Sequence, residues 1–579
     1  MRKATLEFLN QLDAAAEARR QAILRAPDAL EIAGRRYYLS ADGADENDGR
    51  TPQTAWKTLA RAGRAALQPG DGLLLRRGDV FRGQLRTRPG VTYGAYGEGD
   101  KPKLYAWDWN LADPALWELW DAEKHIWHCT KKTLDAGTLV FNEGRHHSRK
   151  LIPSYLNGRF VCRDDPETEF DMRREMTQDL DLFCRFDDVL TEEPSRGERF
   201  PIPKLGPDSL GDLYLRCDAG NPGAVFDSIE LLARRHLVVV GENADVRIDN
   251  LCLKYTGEHA VAAGGRCVKG LHVTHCEIGW IGGSIQHYLG TDPNYPEGGR
   301  GTVTRYGNGV EIYGGCDDYE VSDCWVYQAY DAGITHQVST FGREYSMKHV
   351  LYRDNLVENC VYSIEYFLEK TEPGDSRMSD IEICGNMLRF SGYGWGNQRH
   401  NKDTPAHIKG WSYENTAENY RIHDNLFDRA GKRMLHLVAK KQESLPQMAR
   451  NIYVQTLGQT LGQYGANEAA EPPVLPFDDR AEEEIVGRFG DAGARSIDAV
   501  VREELAKCAN VIYAGGKASR AELTAADKLT SRELRPLMER AGVTLPAPEG
   551  CAVYADSRFT AVYPHEDARV SVPDRACTE

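Results

Sequence analysis

The chain has no apolar run long enough to cross a bilayer as a helix, which takes about 20 consecutive apolar residues. Nor is it basic: 87 acidic against 71 basic residues leave a formal net charge of -16. Nucleic acid and anionic membranes both need a basic face, so neither is an expected partner. The first residues lack the uninterrupted apolar core of a secretion signal, because Glu7, Asp13 and Glu17 break it. The 14 cysteines include no CxxC pair. Free core thiols in a reducing compartment are therefore expected, rather than disulfides or metal ligands, and the location expected is cytoplasmic.

What is present fits a large acidic protein. At 579 residues with 41% hydrophobic content, two to four modules are expected, one of them elongated. Residues 1–34 read as an amphipathic helix with Leu6, Leu9, Leu12, Ala16, Ile23 and Leu24 near helical spacing. Residues 35–105 read as strands broken by glycine turns, with a short helix starting near Trp56. The Asp42–Asp48 loop has enough oxygen donors for calcium, but turn-making through Asp and Asn side chains is the preferred reading. Residues 106–232 are rich in Trp (Trp107, Trp109, Trp117, Trp120, Trp127) and read as an inserted β-rich module. Its His146 and His147, beside basic residues, are expected at the surface. Residues 450–579 read as a mixed helical appendage covering one end of the main body.

From about residue 236 a repeat is visible. LVVVGENADVRIDNLCLKY, VKGLHVTHCEIGW, YEVSDCWVY, VLYRDNLVENC, IEICGNMLRF and YRIHDNLFD share an apolar/polar alternation around Asn or Cys. Asn250, Cys276, Cys324, Asn355, Asn386 and Asn425 hold that place. Asn tolerates left-handed backbone and satisfies neighbouring amides, which suits a bend between short strands. Propeller blades would be longer, and a leucine-rich repeat would need its Leu frame. The fold class expected is all-β: a right-handed parallel β-helix with an inserted β-sandwich-like module and a mixed helical C-terminal appendage. Residues 233–449 form its core.

Each repeat is followed by another short strand: HAVAAG, NGVEIYG, AGITHQ, YSIEYF, AHIKGW and MLHLVA. Aligning their apolar centres stacks Ala262, Glu311, Thr335, Glu365, Lys409 and His436 in one outward-facing column. A slip of one residue would turn every side chain to the other face. With rungs about 4.8 Å apart, Glu311 and Glu365 stand about 10 Å apart at the backbone. Side-chain reach makes that compatible with an inverting glycosidase, whose carboxyls are about 6.5–9.5 Å apart. Asp331, on the turn feeding the Thr335 strand, offers a second, shorter spacing that suits a retaining mechanism. A lone Glu on a sheet usually pairs with a nearby base, and a lone Asp at a turn usually caps amides. Three carboxylates in one column favour catalysis, so Glu311, Asp331 and Glu365 are the catalytic candidates.

Two long Gly-rich interruptions frame that column, WIGGSIQHYLGTDPNYPEGGRGTVTRYG and SGYGWGNQRHNKDTPAHIKGW. Sugars bind through aromatic faces and planar polar side chains. The substrate-binding candidates are His287, Tyr306, Asn308, His336, Gln337, Tyr393, Trp395, Gln398, Arg399, His400, His407 and Lys409, with Trp411 in reserve. Core packing is an equally good reading of Trp395. Loops closing over one face make a pocket, which favours an exo-acting enzyme on short glycans.

YYLSADGADENDGRTPQTAWKTL, GDVFRG, GAYGEG, RYGNGVEIYG and YDAGITHQ together resemble the β-helix proteins of the pectate-lyase-like superfold. The chain is most similar there to β-helix glycoside hydrolases with an interrupting β-sandwich module, over roughly 35–440. The resemblance implies paired acidic residues on the coil face, matching Glu311, Asp331 and Glu365, and an oligosaccharide substrate. No cofactor is expected for a glycosidase. A polysaccharide or oligosaccharide lyase, or a uronate epimerase, is the alternative; it would need a base such as Lys409, Arg399 or His407, and often calcium. A non-catalytic glycan-binding protein is the third reading.

Overall fold

The computed structural model describes residues 3–465, except 29, 157–158, 163–164, 166, 193–201, 243, 289–302, 341–342, 371–375, 399–404, 413–415, 431–432, 440–443, 450 and 457–459. Beyond 465 it describes only 494–496 and 511–514. The helices expected in 450–579, Arg399 and His400, and the side chains of Gln398 and Trp411 lie outside the described residues.

Strand makes up 49% of the structure, in long parallel sheets. Three parallel ladders run through it. In the first, Val238, Val261, Val310, Ile334, Ile364, Ile408 and Leu435 are successive register partners. In the second, the partners are Leu271, Tyr319, Val350, Ile381 and Tyr420. In the third, Leu253, Ile278, Val326, Val357, Leu388 and Phe427 are aligned. Nearly all these residues are fully buried and belong to one continuous core. Side chains alternate across a strand, so every second residue of the repeat faces that core. Like stacked on like removes apolar surface from water at each rung, and this is what sets the register. The ladders continue past residue 449 through Ile452–Thr456 and Thr460–Gly465.

The repeated Asn residues form a second, polar ladder inside the molecule. Asn355 N and Nδ2 donate to Asn386 Oδ1, and Asn386 N and Nδ2 donate to Asn425 Oδ1, all at 2.9–3.0 Å. Asn451 Oδ1 continues the series for Asn425. Two expectations change here. Asn250 is not in the ladder: it follows Asp249, the register partner of Thr274, and so falls level with His275, one residue before Cys276, with a left-handed φ of 61°. The left-handed backbone belongs to the preceding row, His275, Asp323, Asp354 and Asp424, with φ from 50° to 56°. The ladder Asn residues supply amide satisfaction only, because their neighbours already make the bend. Asn386→Ala should cost about 3 kcal/mol or more, since it strands buried donors on Asn355 and acceptors on Asn425 and Tyr352. Urea denaturation measures it; a loss under about 0.5 kcal/mol would contradict the ladder's importance.

Between the strands Lys103–Tyr105 and Val238–Val240, the chain builds a five-stranded, mainly antiparallel sheet from Trp117–Asp121, Ile126–Cys129, Arg149–Lys150, Asp181–Arg185 and Asp212–Arg216. Much of it packs on a core separate from that of the ladders, including Trp107, Trp117, Leu182, Leu213 and Leu215. His147, expected at the surface, is buried, because pairing with Val140 turns it toward Trp280. That burial holds its imidazole down at about 4.

Near the N-terminus, the helix expected from about Trp56 begins later, at Leu59–Gly63, capped by Thr58. Trp56 is buried in extended backbone. In the Asp42–Asp48 loop, Asp45 accepts from Lys57 N, Thr58 N and Thr58 Oγ1, and Asp48 from Arg50 N and Thr54 Oγ1. Its carboxylates make turns.

The helix Lys3–Leu24 buries Leu12, Ala15, Ala16 and Ile23 against the third ladder. Beneath it lies a buried ion network. Arg20 and Arg389 both bond Glu358, at 2.8 and 3.1 Å, and Arg389 also reaches Asp428 at 2.7 Å and Asp13 of the helix.

Candidate active site

The first ladder positions the acidic column. Ala262, Glu311, Thr335, Glu365, Lys409 and His436 are register partners in that order, as the sequence alignment predicts. Their neighbours Val310, Ile334, Ile364 and Ile408 fill the core, so this column faces the other way. Two residues along, on the same face, Tyr313, Gln337, Phe367 and Trp411 are also register partners. Tyr313 is 42% exposed on a face where Glu311, Glu365 and Lys409 are buried. Tyr313 and Phe367 contact edge-on at 6.5 Å. On the rung before Glu311, the partners of Glu311 and Tyr313 are Ala262 and Gly264, both half-exposed. Small side chains there leave the Tyr313 ring exposed.

Burial pushes the Glu311 carboxyl up to about 7 against the hydrogen bond from Asn308 and the pull of the nearby His236 ring, with Asp331 and Glu365 adding to the rise. Asn308 Oδ1 accepts from Ala332 N at 2.8 Å, which fixes the amide so that its Nδ2 donates to Glu311 Oε2. Gln337 Nε2 donates to the same oxygen at 3.3 Å. His259 Nδ1 lies 3.1 Å from it and already accepts from Asn308 N at 2.9 Å. With its one lone pair engaged there, that nitrogen has no proton to give Glu311, and His259 lines the carboxyl as a neutral ring.

Three residues absent from the sequence candidates, His236, Glu258 and His259, join the candidate Tyr306 beside Glu311. His236 and His259 stack at 5.0 Å, and Tyr306 meets His259 edge-on at 5.2 Å. Tyr306 Oη donates to Glu258, whose other oxygen is 3.3 Å from His236 Nδ1. Burial lowers both histidines to about 4, so they are neutral. His259 occupies the place of Asn308 one rung earlier, and Glu258 that of Gly307 and Asp331. The signal was present in GEHAVAAG, which aligns with YGNGVEIYG.

Glu365 has a different environment. Lys409 Nζ lies 2.7 Å from its Oε1 and 4.5 Å above the Tyr362 ring. Lys409 is held more firmly protonated, since the charges of Glu365 and Asp331 outweigh its burial. Asp331 is buried beside these groups, and its charge acts on Glu311, His259 and Lys409. Among the described residues, the buried Thr335 Oγ1 and Gln337 Oε1 have no hydrogen-bond partner.

The structure separates several candidates from this face. His336 points into the core, its ring stacked on Tyr366 at 5.4 Å and its Nδ1 2.8 Å from Tyr352 Oη; burial lowers it to about 3. Strand alternation makes that unavoidable once Thr335 and Gln337 face outward. Trp395 is fully buried, with Nε1 donating to Gln328 O at 2.7 Å and its ring against Tyr330. It packs, and offers no open face. His407 is buried with Nδ1 2.8 Å from Ser391 Oγ, and burial lowers it to about 3. His287 lies on the hairpin Ser284–His287 with Thr304–Tyr306, where burial and Lys204 lower it. Tyr393 contacts Phe390 at 6.4 Å.

No family profile matches the chain, and no curated protein matches it. Among solved structures, it is similar to the complex of XylC with xylose at 10% identity and a TM-score of 0.34, over 84% of this chain and 85% of that one. A GH136 lacto-N-biosidase from Eubacterium ramulus follows at 12% identity and a TM-score of 0.27, over 74% and 65%. A chain described as a glycoside hydrolase gives 12% and 0.37, over 74% and 95%. At such values the likeness carries no argument about activity. The chemistry rests on this chain's own residues.

Proposed function

We propose that the protein is a glycoside hydrolase, wound as a right-handed parallel β-helix with an inserted module, acting from one end of short oligosaccharides. The observation that carries this reading is the column itself: a protonatable Glu311 and an ion-paired Glu365, two rungs apart on one face. Glu311, poised near neutrality, donates its proton to the glycosidic oxygen as the bond to C1 breaks. Glu365, about 10 Å away along the backbone, draws a proton from water attacking C1 from the opposite side, which inverts the anomeric centre. Asp331 adds negative charge between them and favours the developing oxocarbenium. Tyr313 and Phe367 meet the sugar's C–H face, and Thr335 and Gln337 take its hydroxyls. The lyase reading finds less support: Lys409 is held as an ammonium by Glu365, and His407 is buried away from the column.

A panel of nitrophenyl glycosides and short oligosaccharides, with and without chelator, tests the proposal. Chelator-insensitive release of a reducing sugar is expected from at least one. Ala262→Trp, which crowds the face one rung before Glu311, should raise KM at least about tenfold for that substrate. An unsaturated, ultraviolet-absorbing product would show a lyase instead. Binding without turnover across the panel would leave a glycan-binding protein.

A further inference from the structure

A second constellation lies on the outer face of the second ladder, among residues to which the proposed hydrolysis gives no role. Ile381, Ile383, Tyr420 and Ile422 turn inward and are buried, so Glu382 and Cys384 on one strand and His423 on the next face outward together. Cys384 and His423 are register partners, and Glu382 stands two residues before Cys384 on the same face. One ligand atom from each of the three lies within 4.8 Å of the other two, and all three residues are half-buried. His423 Nδ1 is 2.7 Å from Asp424 Oδ2, and its Nε2 turns to Glu382 Oε1 at 2.8 Å. Among the described residues, Cys384 Sγ has no hydrogen-bond partner.

We propose that Glu382, Cys384 and His423 bind a zinc-type divalent cation that clamps two successive rungs. The donor set is one thiolate, one imidazole and one carboxylate. It suits a borderline-soft cation with a tetrahedral shell, and not magnesium or calcium, which take oxygen donors. Tetrahedral bonds of about 2.0–2.3 Å bring such donors to roughly 3.5 Å from one another. The donors, all within 4.8 Å of one another, already stand within roughly 1.3 Å of that, since adjacent parallel strands hold them there. Asp424 behind His423 plays the outer-shell part: it fixes the ring and leaves Nε2 for the metal. The fourth position falls to water. On binding, the Cys384 thiol gives its proton to solvent and its sulfur takes the cation in that proton's place, while His423 coordinates through Nε2 and keeps an Nδ1 proton on Asp424.

Cobalt(II) titration of the full chain tests this. One equivalent should bind with a thiolate-to-cobalt charge-transfer band, zinc should displace it, and loading should raise the thermal midpoint. Cys384→Ser should abolish the band, and Asp424→Asn should weaken binding about tenfold or more. Cys162→Ser, at a half-buried thiol elsewhere, should change nothing. Absence of the band in wild type, or its survival in Cys384→Ser, would overturn the proposal. Glycosidase assays bear on neither outcome.

Discussion

Glu311→Gln should abolish most turnover and yet make the protein more stable above neutral pH. As the proposed acid, Glu311 contributes about 10²–10⁴ to rate, and glutamine has no proton to give. Wild-type activity should accordingly fall as pH rises through about 7, where Glu311 loses its proton. The stability effect follows from the same shift. A carboxyl at its ordinary 4.5 when unfolded and at about 7 when folded binds its proton better in the native state. Between those values the unfolded chain releases the proton first, so native stability declines as pH climbs. Above pH 7 the accumulated penalty is on the order of 3 kcal/mol, and Glu311→Gln removes it. Below about pH 4.5 wild type and variant should differ little. Urea denaturation at pH 5 and pH 8, beside turnover, separates the outcomes. Full activity in the variant, or equal stability at pH 8, would remove Glu311 from the proposed role.

Glu358→Ala should cost about 3–5 kcal/mol and release the N-terminal helix. Glu358 is fully buried and accepts from Arg20, Arg389 and the Trp325 indole N–H. Truncation leaves two buried guanidinium groups facing each other without that carboxylate. Arg389 keeps Asp428 and Asp13, and Arg20 keeps Glu17 on its own helix. The helix end should therefore loosen first. Faster proteolytic cleavage within residues 3–28 and a lower denaturation midpoint are the readouts. A loss under about 1 kcal/mol would mean that apolar contacts of Leu12, Ala16 and Ile23 hold the helix unaided. Turnover in the surviving folded fraction should be unchanged, because the network lies on the third ladder and the acidic column on the first.

Much of this arrangement could be read without coordinates because sheet register follows hydrophobic alternation. Val310, Ile334, Ile364 and Ile408 are apolar centres in otherwise polar-flanked segments, and aligning them places Glu311, Thr335, Glu365 and Lys409 together. Other residues were misjudged where a neighbour's orientation decided the matter. His336 and Gln337 both looked suited to binding, yet adjacent strand residues face opposite sides and only Gln337 shares the column's face. Trp395 lies in a Gly-rich interruption that resembles a binding loop, and its indole is taken by Gln328. Tyr313 and Phe367 went unread because their value lies in being two residues beyond the acids on the same face.

By itself, then, the order of apolar and polar residues determined the all-β character, the parallel register and the line of acids, since each is a matter of period along a strand. Only folding decided that Glu311 is starved of water and surrounded by His259, Asn308 and Gln337, and that Glu365 is claimed by Lys409. The physical reason is that a carboxyl's chemistry depends on solvent access and on partners dozens of residues away, and no local pattern records either.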